Sequence, residues 1–160
     1  MVSVIAAGSF ALGVVVPAGT AFANDAEKLG LDAGQAAELQ GRVDHYLAKV
    51  GGVQVAANEI RLPGAVLSLA LPGSELAGTC GWGHMCSWAG QNYTSDKLDM
   101  AECKEYGMPF GSIGSWKNSQ TTGTTVDFES RDHVTRWKSP GAYVDDPSAD
   151  WSWVWYLSLC

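Results

Sequence analysis

Side chains able to do chemistry are few and scattered in this chain of 160 residues. His133 follows Asp132 and has serines nearby, the residue types of a nucleophilic hydrolase. Adjacent residues on a strand point to opposite faces, so Asp132 cannot orient His133 there, and no further triad partner is evident. His133 therefore reads as a surface histidine in a turn. Asp145 and Asp146 are adjacent carboxylates, but Pro147 follows them directly, and the three read as the start of a turn, not as an acid/base pair. There is no G-x-S-x-G, no H-E-x-x-H and no phosphate-binding loop. The expectation is a protein without a catalytic centre or cofactor.

Cys80, Cys86, Cys103 and Cys160 are the other reactive side chains, and all lie in the second half. His84 falls between the first two, but a metal site there would need reduced thiols and a second ligand cluster. An even cysteine count favours disulfides, and four cysteines allow three pairings. Cys80–Cys86, closing a tight glycine-containing turn, and Cys103–Cys160, tying the C-terminus to mid-chain, are the favoured set. The longer bridge is worth about 4 kcal/mol in the chain-entropy model.

The surroundings of these residues narrow the function further. Lys+Arg number 10 against 17 Asp+Glu, a net charge of −7, and no basic run of four occurs. Such a surface repels phosphate, which argues against nucleic acid and against anionic lipid as partners. With 46% hydrophobic and 17% charged residues, the chain is globular in composition.

Residues 1–23 carry no charge and end in Ala21-Phe22-Ala23, an A-x-A pattern suited to signal-peptidase cleavage before Asn24. Pro17 and Gly19 interrupt the apolar stretch, which is short for a membrane span. A basic n-region is missing, which points to a translation start upstream of Met1. The expectation is a secreted chain, with no membrane attachment in its mature form.

Two unlike segments follow. Residues 24–78 hold no Trp and no Cys, and a turn cluster at Pro72-Gly73-Ser74 marks the boundary. Asp32 and Gln35 form a capping-box pattern; Leu39, Val43, Tyr46, Leu47 and Val50 make one apolar helical stripe, and Gly51-Gly52 ends it. Extended stretches at 53–57, 60–62 and 65–71 complete a small helix-plus-hairpin segment that is too small to stand alone. Residues 79–160 hold all 7 tryptophans and show turn signals at regular intervals, the pattern of an all-β sandwich. Trp151, Trp153 and Trp155 alternate with other residues and would share one strand face, as core or as a carbohydrate-stacking row.

Local patterns in that second segment resemble a known fold. Trp88, Tyr93 and Ser95 match the aromatic-x4-aromatic-x-Gly signature of βγ-crystallin Greek-key motifs, with Ser95 in the glycine place. Lys117-Asn118-Ser119-Gln120-Thr121-Thr122 resembles the second signature of that family, and Phe128 and His133 repeat the first spacing. The C-x5-C opening from Cys80 to Cys86, ahead of Trp88, resembles the actinomycete peptidase-inhibitor family with this fold, whose characterised member inhibits metalloproteinases. The resemblance covers about residues 79–160. It implies two four-stranded Greek keys packed as a sandwich.

The crystallin signature also implies Ca²⁺ binding in some members. Lys117 puts a positive charge at the first ligand position, leaving Asn118 and Thr121 as weak candidates better suited to turn hydrogen bonds. Inhibition needs a rigid loop whose entropy is lost before binding. Gly81–Met85, inside the small ring, is one candidate. Lys104–Gly114 is the other: if it is exposed, Tyr106, Met108 and Phe110 would fill an apolar pocket, and if it folds back they form a lid on the core. The resulting expectation is a secreted inhibitor of an extracellular peptidase, with a crystallin-type glycan- or Ca²⁺-binding module as the alternative.

Overall fold

Backbone rules account for the helical start of the structure, a computed structural model describing residues 22–75 and 78–160. The expected signal peptide lies outside the described residues except for Phe22 and Ala23. A short helix, α1 (Ala23–Lys28), which the sequence reading does not anticipate, is followed by α2 (Ala33–Val50). At α2, Asp32 Oδ1 accepts from the Gln35 N–H at 2.9 Å, and Gln35 Oε1 accepts from the Asp32 N–H at 3.0 Å. The capping box thus satisfies two amides that a helix start would otherwise leave bare. Leu39 and Val43 are buried, and Tyr46, Leu47 and Val50 pack beside them, so the apolar stripe is the docking face.

After α2 the chain forms a meander of β1 (Val53–Ala56), β2 (Glu59–Leu62) and β3 (Ala65–Ser68). Eight further strands follow: β4 (Met85–Trp88), β5 (Lys97–Met100), β6 (Glu105–Gly107), β7 (Ile113–Asn118), β8 (Val126–Glu129), β9 (Thr135–Lys138), β10 (Val144–Asp150) and β11 (Tyr156–Leu159). They build two antiparallel sheets, one ordered β1-β2-β3-β5-β4-β7-β10 and the other β6-β11-β8-β9. The set β4–β7 gives three strands to the first sheet and its third strand to the second. The set β8–β11 does the reverse. β3 pairs with β5, Ala65 opposite Met100 and Ser68 opposite Lys97, so the first segment extends the sheet of the second.

Side-chain alternation places the core between the sheets. Ile60, Leu67, Leu98, Ser87 and Trp116 form one row across the first sheet. Tyr106, Leu157, Phe128 and Trp137 form one across the second. The rows meet through aromatic rings, Trp116 edge-on to Phe128 at 5.6 Å and Phe128 stacked with Trp151 at 5.9 Å. Trp151 is not on a strand shared with Trp153 and Trp155. The three lie in a turn before β11, where Trp151 is 1% exposed, Trp153 37% and Trp155 45%. Trp151 Nε1 donates to the Trp88 carbonyl at 2.9 Å, across Gly114, where an added Cβ would come within 2.3 Å of the indole nitrogen. The buried indole N–H thus finds a partner only because residue 114 lacks a side chain.

Trp88 lies on the opposite face, under a folded corner. Asn92, Tyr93 and Ser95 adopt φ of 55°, 63° and 70°. Tyr93 packs edge-on to Trp88 at 5.3 Å, and its N–H donates to Ser115 Oγ at 2.8 Å. His133 has a similar φ of 57°. The residue matching Trp88 there is not Phe128, however, since Phe128 faces the core and its neighbour Glu129 faces outward beneath the turn. Asp145 and Asp146 also differ from expectation: they lie within β10, with a bulge between Asp146 and Ala149 in place of a turn start.

Candidate functional site

Disulfides join Cys80 to Cys86 and Cys103 to Cys160, the favoured pairing. The first closes the ring that holds Gly81 to Met85 at the start of β4. Inside it the His84 N–H donates to the Gly81 carbonyl at 3.2 Å, and Gly83 turns the chain with φ 84°. Two further bonds clamp the ring to the end of β7: Gly83 N–H to the Ser119 carbonyl at 2.7 Å and Ser119 N–H to the His84 carbonyl at 2.9 Å. Met85, on the core face, and Cys86, on the opposite face of β4, are both buried.

The clamped ring presents Trp82. Its side chain is 74% exposed, far more than a tryptophan with no partner to meet would favour. The indole Nε1 donates to Tyr143 Oη at 3.0 Å, and Tyr143 is itself exposed. The pair forms a two-ring aromatic knob held in one orientation. Beside it lies a groove of about 360 Å³ lined by Arg61, Ser68, His84, Lys97 and Asp99. Asp99 holds His84 Nδ1 and accepts from Lys97 Nζ at 2.9 Å. An oriented imidazole of this kind could accept a proton, but no hydroxyl is hydrogen-bonded to it among the described residues, so no nucleophile is in place.

Tyr106, Met108 and Phe110 are not part of an exposed loop, and the expectation that they present themselves to a partner is corrected. They are 5%, 3% and 5% exposed. Tyr106 lies on β6 opposite Leu157, and its hydroxyl donates to the Gly64 carbonyl at 2.9 Å. Helix α2 covers the rest: Tyr46 packs edge-on to Phe110 at 6.2 Å, and Lys49 Nζ donates to the Pro109 carbonyl at 2.8 Å. Burial pushes the Tyr106 hydroxyl above, and the Lys49 amine below, their ordinary pKa ranges.

The Ca²⁺ candidates are engaged in turn bonds. Asn118 Nδ2 donates to the Thr124 carbonyl at 2.9 Å, its Oδ1 accepts from the Gln120 N–H at 3.2 Å, and Thr121 Oγ1 pairs with Thr124 Oγ1 at 2.8 Å. His133 lies in an exposed turn and pairs with Glu105 at 2.9 Å. A second aromatic feature opens between the two sheets beside their edge strands β9 and β10, a cavity of about 230 Å³ lined by Trp116, Trp137, Trp153, Asp146 and Asp150.

Sequence reasoning singled out the ring but missed Trp82 within it. The signal was there, a large aromatic between two glycines inside the ring closed by cysteines six positions apart. Tyr143, distant in the chain, carried none.

No protein-family model, curated protein or solved structure matches this chain. Among the described residues no helix is long and apolar enough to cross a membrane.

Proposed function

We propose that this is a secreted, non-catalytic binding protein that inhibits an extracellular peptidase, metalloproteinases first, through the Cys80–Cys86 loop and Trp82. One observation carries the reading: Trp82 is 74% exposed on a ring closed by a disulfide and clamped by backbone bonds. A tryptophan already fixed loses little entropy on binding, and buried interface tryptophans are frequent energetic anchors. The exchange of one strand between the two four-strand sets, and the Trp88–Tyr93 corner with its left-handed Ser95, support a pair of crystallin-type Greek keys as the scaffold. Both disulfides fit an oxidising compartment.

The test is a titration of the disulfide-bonded chain against peptidases of the thermolysin, subtilisin and chymotrypsin types, following cleavage of a small substrate. Stoichiometric loss of one activity with the chain left uncut supports the proposal. Unchanged activity of all three at micromolar chain contradicts it.

A glycan-binding module is the second reading, favoured by Trp137 and Trp153 beside Asp146 and Asp150 around the 230 Å³ cavity. Its mark would be retention on insoluble cell-wall glycan that is lost in Trp153→Ala.

A further inference from the structure

Glu105, Glu129 and His133 come from β6, the end of β8 and the β8–β9 turn, yet each offers a ligand atom within 4.8 Å of the others. Two carboxylates this close repel unless a cation lies between them. Glu105 has one partner, His133 Nδ1 at 2.9 Å. Glu129 is 7% exposed, and its carboxylate makes no hydrogen bond or ion pair among the described residues. An acidic residue buried beyond nine-tenths, whose carboxylate has no protein partner, is costly to keep and calls for an explanation.

The nearby cations do not supply one. Lys104 pairs with Glu102, Arg131 lies over Trp155, Arg136 faces Asp132 and Lys138 pairs with Asp127. The imidazole, meanwhile, is held in place. His133 adopts φ 57°, which folds its ring back over the sheet, and it stacks on Tyr156 with centroids 4.0 Å apart and planes within 17°. β11, the strand between Glu105 and Glu129, ends at the Cys103–Cys160 bridge, so covalent bracing lies next to the cluster.

We propose that Glu105, Glu129 and His133 form a binding site for a divalent transition-metal ion of the zinc class. One imidazole nitrogen and two carboxylate oxygens suit a borderline ion and are a poor set for Ca²⁺, which takes six to eight oxygens. Tetrahedral bonds of about 2.0–2.2 Å set ligand atoms roughly 3.3–3.6 Å apart, within the 2.9 to 4.8 Å range here. A dication neutralises both carboxylates and gives Glu129 the partner it lacks. His133 and Glu105 remain solvent-facing on one side, leaving a coordination position open to water or to a partner's side chain.

Calorimetric and thermal-melting titrations with ZnCl₂, on the disulfide-bonded chain without a histidine tag, test the site. The expected result is one Zn²⁺ per chain with a raised melting temperature, and no matching rise with Ca²⁺. Glu129→Gln and His133→Ala should each weaken binding at least about tenfold, while His45→Ala and His84→Ala keep wild-type affinity. Glu129→Gln should also raise the metal-free melting temperature by removing the repulsion, which distinguishes loss of a ligand from loss of fold. No zinc-induced shift in the wild-type chain at about 1 mM, or undiminished binding in both ligand variants, overturns the proposal.

Discussion

Tyr93 and Tyr46 show how single hydroxyls hold remote pieces of this chain together. Tyr93 Oη donates to Asp145, and burial followed by that bond pushes its pKa up to about 12. Tyr46 Oη donates to Asp96 at 2.7 Å; burial and then the Asp96 charge raise its pKa further still. Both phenols therefore keep their protons in the folded state at pH values where the unfolded chain has lost them. Their contribution is complete below pH about 10 and is lost as pH rises through the folded values. Stability measured by urea unfolding should fall steadily above pH 10, and Tyr46→Phe should flatten that slope. Trp82 behaves differently because it is exposed. Trp82→Ala should change unfolding stability by no more than about 0.5 kcal/mol, so any loss of inhibition would report binding and not folding. At this scale the sequence showed what is local, namely the Asp32–Gln35 cap and the small cysteine ring. It did not show Glu129, because the spacing from Phe128 to His133 matches the aromatic pattern while the strand pairing sets the register one residue later.

Helix α2 docks through a single buried carboxylate as well as through its apolar stripe. Asp96, 3% exposed, accepts from Arg42, from Tyr46 and from the Ala70 N–H at 2.8 Å. Helix α2 and the segment after β3, both distant in sequence, thus converge on the loop before β5. Asp96→Ala should destabilise the chain by about 2–4 kcal/mol, at or just below the usual cost of breaking a buried pair because Arg42 is 30% exposed, as denaturant midpoints would show. The boundaries of α2 were legible, and those of β2 to within one residue, since caps and turn residues act within a few positions. The segment around Tyr106 was not. Tyr106 on the three-residue strand β6 is covered through β11, and Phe110 beyond it by α2, both about fifty residues or more away in sequence. Expecting a loop there followed from composition alone, with its covering partners out of sight.

Across the whole molecule the two segments share one sheet. Without β3, strand β5 would become an edge, and Leu98 would lose its cross-strand neighbour Leu67 and be exposed. A chain of residues 79–160 alone should therefore aggregate or melt far below the complete one. A proteolytic nick at the exposed Gly73–Ser74 should leave both pieces associated through gel filtration. The composition shift near that point was visible in the sequence, but composition says nothing about strand pairing across it. The mainly β character and the helix-first order were legible; the joining of the two segments through β3 and β5 depends on long-range register, which no local pattern encodes.

We propose that Trp82, on its disulfide-closed ring, is the contact that blocks a peptidase. The most direct measurement compares inhibition constants of the wild-type chain and Trp82→Ala against whichever peptidase the wild-type titrates stoichiometrically. A loss of at least about thirtyfold in Trp82→Ala, with unfolding unchanged, is the predicted result for an anchoring tryptophan. Equal inhibition by both chains would contradict it and move the interface away from the Cys80–Cys86 ring.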